Sequence, residues 1–283
     1  MNSVPKGDPL SADVDYEVEY NNRARVPENP AIIAGWSRDA AAYREAQQAH
    51  LKVIPYGTGE RNRIDLFSGD GAGAIVVFID GGYWQALDGS FFSHLAAGLN
   101  IHGIDVAVPS YDLCPAVSVA EIVGEMRAAS RELARLGRPL VVSGHSAGGH
   151  LAACMLATDW RAFDASLPAQ LVTAAYAISG LFDLRPLVST SINTALKLDD
   201  ASARAVSPLF WKSPSHGTLD AVVGGNESAE YHRQSRTIAD AWNAAGIATR
   251  FATIPDANHF TAIAPLADPN SPMTLRLKQL AGR

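Results

Sequence analysis

The sequence predicts an α/β protein with one open, mostly parallel central sheet and helices on both faces. Short apolar runs alternate with helix-like segments from about Leu51 onward, which is the order of a sheet crossed by helices. Several of the runs lack polar alternation, as strands buried on both faces do. The chain has 283 residues, 47% of them hydrophobic, and no linker or charge block divides it, so we expect a single domain over residues 1–283.

Eight segments are predicted to be strands because they are short, apolar and bounded by turn residues. In chain order they are LKVIPY (51–56), RIDLF (63–67), AIVVFI (74–79), DVAVPSY (105–111), PLVVSG (139–144), VTAAYAIS (172–179), LDAVVGG (219–225) and TRFATIP (249–255). In a sheet of this kind the chemistry lies at the carboxyl ends of the strands.

Helices are predicted where apolar residues recur at spacings of three and four. Residues 231–245, followed by Gly246, have the pattern of a helix with a C-terminal glycine. Another stripe comprises Val119, Ile122, Val123, Met126, Leu133 and Leu136.

Two segments do not fit the alternation of strands and helices. Residues 1–50 include a helix-like stretch from residue 30, and residues 184–215 interrupt the second half of the chain. We expect them to form a small cap over the active edge of the sheet. The alternative is that they are peripheral helices that seal the core.

Composition and charge argue against several classes of protein, namely nucleic-acid binders, membrane proteins and disulfide-rich secreted proteins. The formal net charge is −6 and no basic stripe is visible, so a nucleic-acid partner is not expected. No stretch approaches the ~20 apolar residues of a membrane span. Cys114 and Cys154 are too few for a disulfide framework, and the acidic N-terminus has no signal-peptide pattern, so we expect a cytoplasmic protein. A small molecule is the expected partner, with a homodimer as the other association considered.

The strongest chemical signal is GHSAG, which matches G-x-S-x-G at Gly144, Ser146 and Gly148. It follows an apolar strand and precedes a helix-compatible run, the context in which a serine is lifted out of the sheet on a sharp turn. The alternative is a glycine-rich turn with an incidental serine. We predict Ser146 as a nucleophile.

A serine hydroxyl is a weak nucleophile and needs a base, which in turn needs an acid. His259 follows the last strand, where the base is expected when the chain order is serine, acid, histidine. Glu227 follows the penultimate strand and is the preferred acid. Asp183, one strand earlier, and Asp256, three residues before the histidine, are the alternatives.

An oxyanion hole is predicted from two turns. Ala147 supplies one backbone N–H, and the turn of Gly81, Gly82 and Tyr83 supplies another. We expect the substrate pocket to be lined by four residues near these turns, Asp80, Tyr83, Trp84 and His145. The two aromatic rings have an alternative, packing beneath the cap.

No cofactor and no metal are expected. His145 and His150 have no further ligand at metal-binding spacing. The glycines around Ser146 lack the Lys-Ser/Thr of a phosphate-binding loop, and G-x-G-x-x-G is absent.

These motifs resemble the α/β-hydrolase fold and, within it, the kynurenine formamidase (arylformamidase)-like group near the hormone-sensitive-lipase esterases. The resemblance rests on DGGYWQ, PSYDLCP, GHSAGGHLAA, GGNESAEYHRQS and NHF, with YNNR at 20–23. It implies Ser146 as nucleophile, His259 as base and Glu227 as acid, where the group usually has aspartate. It also implies hydrolysis of a small aryl amide or ester, N-formylkynurenine being the named candidate. A general short-chain carboxylesterase and a non-catalytic ligand-binding protein on the same scaffold are the alternatives.

Asp80 departs from the group, which has histidine at this position. An unpaired carboxylate ~6 Å from the oxyanion would oppose it by about 3 kcal/mol at an effective dielectric of 20. In one alternative Asp80 points away and bonds to backbone amides or to Arg23, Arg25 or Arg185. In the other, burial raises its pKa so that it stays neutral.

Overall fold

The computed structural model describes residue 10 and residues 13–283. Its eight strands coincide with the eight predicted segments to within a few residues at their ends. They are β1 Leu51–Pro55, β2 Arg63–Phe67, β3 Ile75–Ile79, β4 Val106–Pro109, β5 Leu140–His145, β6 Val172–Ile178, β7 Thr218–Gly224 and β8 Ala248–Ile254.

The strands form one sheet in the order β1-β2-β4-β3-β5-β6-β7-β8. The β1–β2 and β2–β4 pairs are antiparallel, and all other neighbours are parallel. Every residue of β3 and β5 is buried, which explains why these strands read as continuous apolar runs. The predicted fold class is therefore confirmed.

Eleven α-helices connect or flank the strands in the described part of the chain. They are α1 Tyr16–Tyr20, α2 Asn22–Arg25, α3 Asn29–Ala46, α4 Ala97–Asn100, α5 Val119–Ala134, α6 Ala147–Leu156, α7 Trp160–Phe163, α8 Asn193–Leu196, α9 Asp200–Ala205, α10 Ala229–Ala244 and α11 Pro272–Leu280. Short 3₁₀ helices cover Gly89–Ala96, Arg185–Ser189, Pro208–Phe210 and Ala264–Ala267. None of the helices in these described ranges is long and apolar enough to cross a bilayer.

Helix α5 shows how local sequence sets an element's bounds. Ser118 and Glu121 form a reciprocal capping box that fixes its first turn. The predicted apolar stripe is buried as far as Leu133, but Leu136 lies beyond the helix and is 40% exposed. The chain leaves the helix at Arg135, so Leu136 loses the helical register that would turn it toward the core.

The core lies on both faces of the sheet because side chains alternate along each strand. In β3, Ile75, Val77 and Ile79 pack with α5 and α6 in one cluster. Val76 and Phe78 point the other way, into a cluster that includes Phe92 and residues of α11.

The two segments outside the alternation contribute to both the core and the edge of the sheet. The described part of the N-terminal segment forms α1 to α3, and the predicted arm at residues 1–9, 11 and 12 lies outside the described residues. In the segment 184–215, Leu187, Leu196 and Leu209 are buried in the core. Ser191 and Ile192 of the same segment face a cavity at the sheet edge. This segment therefore both seals the core and walls the cavity.

Candidate active site

Ser146 stands on a sharp turn between β5 and α6, the Ser146 elbow. Its backbone has φ 57° and ψ −116°, a conformation that side-chain-bearing residues rarely adopt. The flanking glycines are required by close backbone contacts. A Cβ at Gly144 would lie 2.2 Å from the Gly148 carbonyl oxygen, and one at Gly148 would lie 1.9 Å from the Ile79 carbonyl oxygen.

His259 and Glu227 are brought together from loops after β8 and β7. The His259 Nδ1 lies 2.6 Å from the Glu227 Oε2, and both side chains are buried. The other carboxylate oxygen, Oε1, accepts hydrogen bonds from the Gly224 amide at 2.7 Å and from the Ser179 hydroxyl. The acid therefore has a partner on each oxygen, and the ring is held in one orientation.

The alternative acids are engaged elsewhere. Asp183 Oδ1 accepts from the Arg185 Nε at 2.9 Å, and its Oδ2 from the Arg185 Nη2 at 2.7 Å. Asp256 is exposed. Among the described residues neither carboxylate bonds to His259, whereas Glu227 does.

The turn of Gly81, Gly82 and Tyr83 packs directly on the Ser146 elbow. A Cβ at Gly81 would lie 2.8 Å from the His145 carbonyl oxygen and 3.1 Å from the Ser146 Cβ. Gly82 has φ 114°, and a Cβ there would lie 2.2 Å from the Ala86 carbonyl oxygen. Ala147 opens α6, so its amide is among the first N–H groups that lack an intrahelical acceptor.

A cavity of about 410 Å³ opens beside this constellation. It is lined by the predicted Gly81, Gly82, Tyr83, His145, Ser146 and His259. The N-terminal arm and the loops around it close the other sides, with Glu17, Tyr20, Asn21, Asn22, Arg23, Ile33, Trp36, Gln85, Ala86, Leu87, Phe92, Ser191, Ile192 and Phe260.

The chain is similar over most of its length to proteins named kynurenine formamidase. It is 30% identical over 245 residues to kynurenine formamidase of Danio rerio, covering 82% of each chain. The kynurenine formamidase of Drosophila melanogaster is 27% identical over 253 residues, covering 83% of each chain.

The chain belongs to the kynurenine formamidase family.

Solved structures agree on the scaffold. A putative thioesterase from Silicibacter sp. has a TM-score of 0.83 and 34% identity, covering 93% of this chain and 98% of that one. An esterase from the archaeon Pyrobaculum calidifontis has a TM-score of 0.69 at 16% identity, covering 89% and 93%, and supports the fold alone. No protein-family profile matches the sequence. Together with the formamidase relatives, these similarities identify a hydrolase on an α/β-hydrolase scaffold.

Trp84 and Asp80 do not line the cavity, and the expectation that they do is wrong. Trp84 is fully buried, and its ring lies edge-on to His150 with centroids 5.0 Å apart. Its backbone has a φ of 56°, and its ring packs in the core cluster that contains residues of α6. Of the four predicted pocket residues, Tyr83 and His145 do line the cavity.

Asp80, where members of the kynurenine formamidase family have histidine, is fully buried. Neither carboxyl oxygen has a hydrogen-bond partner among the described residues. Burial raises its pKa well above the ordinary range and repulsion from Asp88 adds to this, while attraction to Arg61 and then the backbone amide of Asp80 itself oppose it. Arg185 is committed to Asp183, and among the described residues neither Arg23 nor Arg25 pairs with Asp80. The structure therefore favours the alternative in which Asp80 is neutral.

Burial also keeps two histidines beside Ser146, His145 and His150, in the neutral form. Burial, and then the neighbouring His259, lower the pKa of His145 well below its usual value. Burial lowers the pKa of His150 to about 4, and its Nε2 lies 2.7 Å from the Val206 carbonyl oxygen. Within residues 13–283 no group of three or more His, Cys, Asp or Glu side chains is placed to hold a metal ion.

Three residues close to the site escape prediction from sequence. Ser179, which bonds to Glu227, has a detectable signal, because it is a polar residue directly after an apolar strand. Tyr231 packs against His259 with ring centroids 4.6 Å apart, and Asn22 bonds to the Tyr231 hydroxyl at 2.8 Å. These two lie in motifs that the family resemblance includes, but nothing in the local sequence indicates that the motifs meet.

Proposed function

We propose that this protein is a serine hydrolase that cleaves a small aryl formamide or ester through an acyl-enzyme, as a kynurenine formamidase. The observation that carries the proposal is the strained Ser146 elbow beside the hydrogen-bonded pair of His259 and Glu227. This is the arrangement of nucleophile, base and orienting acid that acyl transfer requires.

In the proposed reaction the Ser146 Oγ attacks the substrate carbonyl carbon while the His259 Nε2 takes the hydroxyl proton. The Glu227 Oε2 accepts the Nδ1 hydrogen bond at 2.6 Å, which fixes the tautomer and stabilises the imidazolium. The imidazolium then protonates the leaving amine or alcohol, and the carbonyl–heteroatom bond breaks. Water, deprotonated by His259, releases the formyl or other acyl group and restores the serine.

Backbone amides of the two turns are the proposed oxyanion donors. Gly82 and Tyr83 on one side and Ala147 on the other would donate to the negative oxygen of the tetrahedral intermediate. A neutral Asp80 adds no charge that opposes this oxyanion, so the departure from the family's histidine is compatible with catalysis.

The cavity walls suit an aryl group that carries a carboxylate. Trp36, Phe92 and Phe260 supply aromatic surface, and Arg23 lies at the wall without an ion-pair partner among the described residues. The acid on the same wall, Glu17, already accepts from the Ser191 amide and hydroxyl at 2.7 and 2.8 Å. N-formylkynurenine has both an aryl ring and a carboxylate, which favours it over a neutral ester.

Side-by-side turnover of N-formylkynurenine and p-nitrophenyl acetate tests this substrate class. We expect kcat/KM to favour the formamide by more than about tenfold, since the pocket contacts discriminate between transition states. A smaller preference would support the other candidate, a general short-chain carboxylesterase.

The covalent mechanism is tested by labelling with a fluorophosphonate probe. We expect Ser146→Ala to lose labelling and hydrolysis together, while the exposed control Ser166→Ala keeps both. Wild-type protein that binds N-formylkynurenine but neither labels nor turns over would instead indicate a binding protein on a hydrolase scaffold.

Arg23 is tested through its charge. Arg23→Ala should raise KM for N-formylkynurenine by about fivefold and leave KM for formanilide, which has no carboxylate, nearly unchanged. Arg25→Ala is the matched control, because Arg25 lies in the same helix but not at the cavity wall. Equal effects of the two variants would remove Arg23 from substrate recognition.

The proposed setting is the cytoplasm, where the buried thiols of Cys114 and Cys154 would stay reduced. A homodimer stays a prediction that sedimentation of the purified protein can test.

A further inference from the structure

Two sequence motifs that the proposed mechanism does not use meet beside Ser146. They are YNNR at 20–23 and AEYHRQ at 229–234. The Tyr20 hydroxyl donates to the Glu230 Oε2 at 2.7 Å and accepts from the Gln234 Nε2 at 2.9 Å. The Asn22 Nδ2 donates to the Tyr231 hydroxyl at 2.8 Å. The N-terminal arm is therefore bonded to α10 by buried polar groups.

These contacts continue into the turn of Gly81, Gly82 and Tyr83. The Tyr83 hydroxyl lies 2.6 Å from the Tyr20 carbonyl oxygen and 2.6 Å from the Tyr231 hydroxyl. A carbonyl can only accept, so the single proton of Tyr83 goes to Tyr20. Tyr231 must then donate to Tyr83. The result is a directional chain from the Asn22 amide to Tyr231, to Tyr83 and to the Tyr20 carbonyl, which we call the hydroxyl chain. The Asn22 amide also makes a longer bond to the Tyr83 hydroxyl at 3.3 Å.

The hydroxyl chain ends on backbone that needs to be held. Tyr83, Trp84 and Leu87 have φ values of 51°, 56° and 69°, in the left-handed region that glycine adopts most easily. Such conformations persist only where surrounding contacts impose them. The Trp84 ring is buried in the core, and the Leu87 carbonyl accepts from Arg61 at 2.5 Å. At Tyr83 the ring packs against the core, and the hydroxyl adds hydrogen bonds that fix its position.

The chain also lies next to the proposed catalytic groups. The Tyr231 ring centroid is 4.6 Å from that of His259, and Asn22 and Tyr83 line the cavity. Burial raises the pKa of Tyr83 and of Tyr231, so both hydroxyls keep their protons at neutral pH. The chain is therefore intact under the conditions in which the enzyme would work.

We propose that Asn22 and Tyr231 are positioning residues that act through Tyr83, holding the strained turn so that its amides face the oxyanion. On this view the N-terminal arm is part of the catalytic machinery as well as a wall of the cavity. The inference rests on the proposed function, because the oxyanion exists only if Ser146 attacks a carbonyl.

The test compares Tyr231→Phe, Asn22→Leu and the double variant in the full-length protein. Tyr231→Phe removes the hydroxyl that donates to Tyr83, and Asn22→Leu removes the amide that donates to both tyrosines. We expect kcat for N-formylkynurenine to fall about tenfold in each case, with KM changed by less than about threefold. The double variant should fall about as far as either single variant, because both remove the same chain. Tyr43→Phe is the matched control, since Tyr43 is also in the arm and its hydroxyl donates to Asn100 at 2.5 Å away from the cavity.

Active-site titration with the fluorophosphonate probe expresses each kcat per folded site, so partial unfolding does not imitate the effect. The inference is overturned if kcat per site in the single variants stays within about twofold of wild type, if KM changes instead of kcat, or if the two losses multiply. It is also overturned if Tyr43→Phe loses as much as Tyr231→Phe. Wild-type protein that neither labels nor hydrolyses would contradict the proposed function itself, which is a separate outcome.

Discussion

Two buried carboxyl groups flank the Ser146 elbow, and they differ in their hydrogen-bond partners. Glu227, on the His259 side, has hydrogen-bond partners on both oxygens, namely His259, Gly224 and Ser179. Asp80, on the side of the glycine turn, is also buried, but no other described residue donates to either of its oxygens. Burial alone therefore does not define the role of a carboxyl group at this site, because the partners decide whether a charge can be carried.

The two acids are therefore suited to different chemistry. A carboxylate with aligned donors can orient His259 and balance the charge that forms on it. A carboxyl group that no other residue donates to is stable when it is neutral, and then it places no negative charge near the proposed oxyanion. Replacing each carboxyl by its amide tests this difference, because the change in shape is the same in both.

The largest effect is expected from Glu227→Gln. The amide removes the charge and presents a donor or a weaker acceptor to His259, so kcat should fall about 10³-fold to 10⁴-fold. Steady-state kinetics with N-formylkynurenine, with circular dichroism as the control for folding, measures it. A loss below about tenfold would show that Glu227 does not serve as the orienting acid.

A smaller effect is expected from Ser179→Ala. This change removes one donor from the Glu227 Oε1 and leaves the Gly224 amide in place. We expect kcat to fall about tenfold, since hydrogen bonds to a charged group contribute more than neutral ones. Ser166→Ala, at an exposed serine, is the control, and a Ser179 variant with the same kcat as wild type would make Ser179 dispensable.

The smallest effect on activity is expected from Asp80→Asn. A neutral acid and an amide have the same shape and charge, so kcat should stay within about threefold of wild type. A collapse of kcat with the fold intact would mean that Asp80 acts as an ionised group, and the contrast with Glu227 would be lost. Asp80→His, which restores the family's residue, should preserve or raise activity, but it must also fit a larger ring into a fully buried position.

Asp80→Asn should also change how the free energy of unfolding depends on pH. The pKa of Asp80 is higher in the folded than in the unfolded protein, where carboxyl groups titrate near 4. Above that pH the unfolded chain binds fewer protons than the folded one, so the free energy of unfolding falls as pH rises, by at most about 1.4 kcal/mol per pH unit. Asp80→Asn removes this slope. Urea denaturation at pH 4, 6 and 8 should show the variant gaining on wild type as pH increases, and parallel curves would contradict a neutral Asp80.

Much of the fold and of the site could be predicted because the signals are local. The eight strands are apolar runs between turn residues, and the elbow is identified by the glycines that its close backbone contacts require. The meeting of His259 with Glu227 follows from chain order, since neighbouring parallel strands end at the same edge. The roles of these residues remain predictions.

What could not be predicted depends on backbone direction and on distant contacts. Trp84 has a positive φ and its ring lies in the core, and no glycine at this position signals that backbone conformation in the sequence. Tyr83 and Tyr231 are 148 positions apart, and Asn22 and Tyr231 are 209 apart. Residues so far apart meet only through the complete tertiary structure, so their motifs could be recognised without showing what they contact.

The bonds between the N-terminal arm and α10 also bear on how the protein matures. The contact of Tyr20 with Glu230 joins residues 210 positions apart, and such long loops close late because their entropic cost is met only by the finished core. A chain that has emerged as far as the Ser146 elbow therefore has the proposed nucleophile without the arm's anchor on α10, Glu227 or His259. If Ser146 is the nucleophile, its base and acid therefore join it only when nearly all of the chain has folded, and the serine is not activated in an incomplete chain.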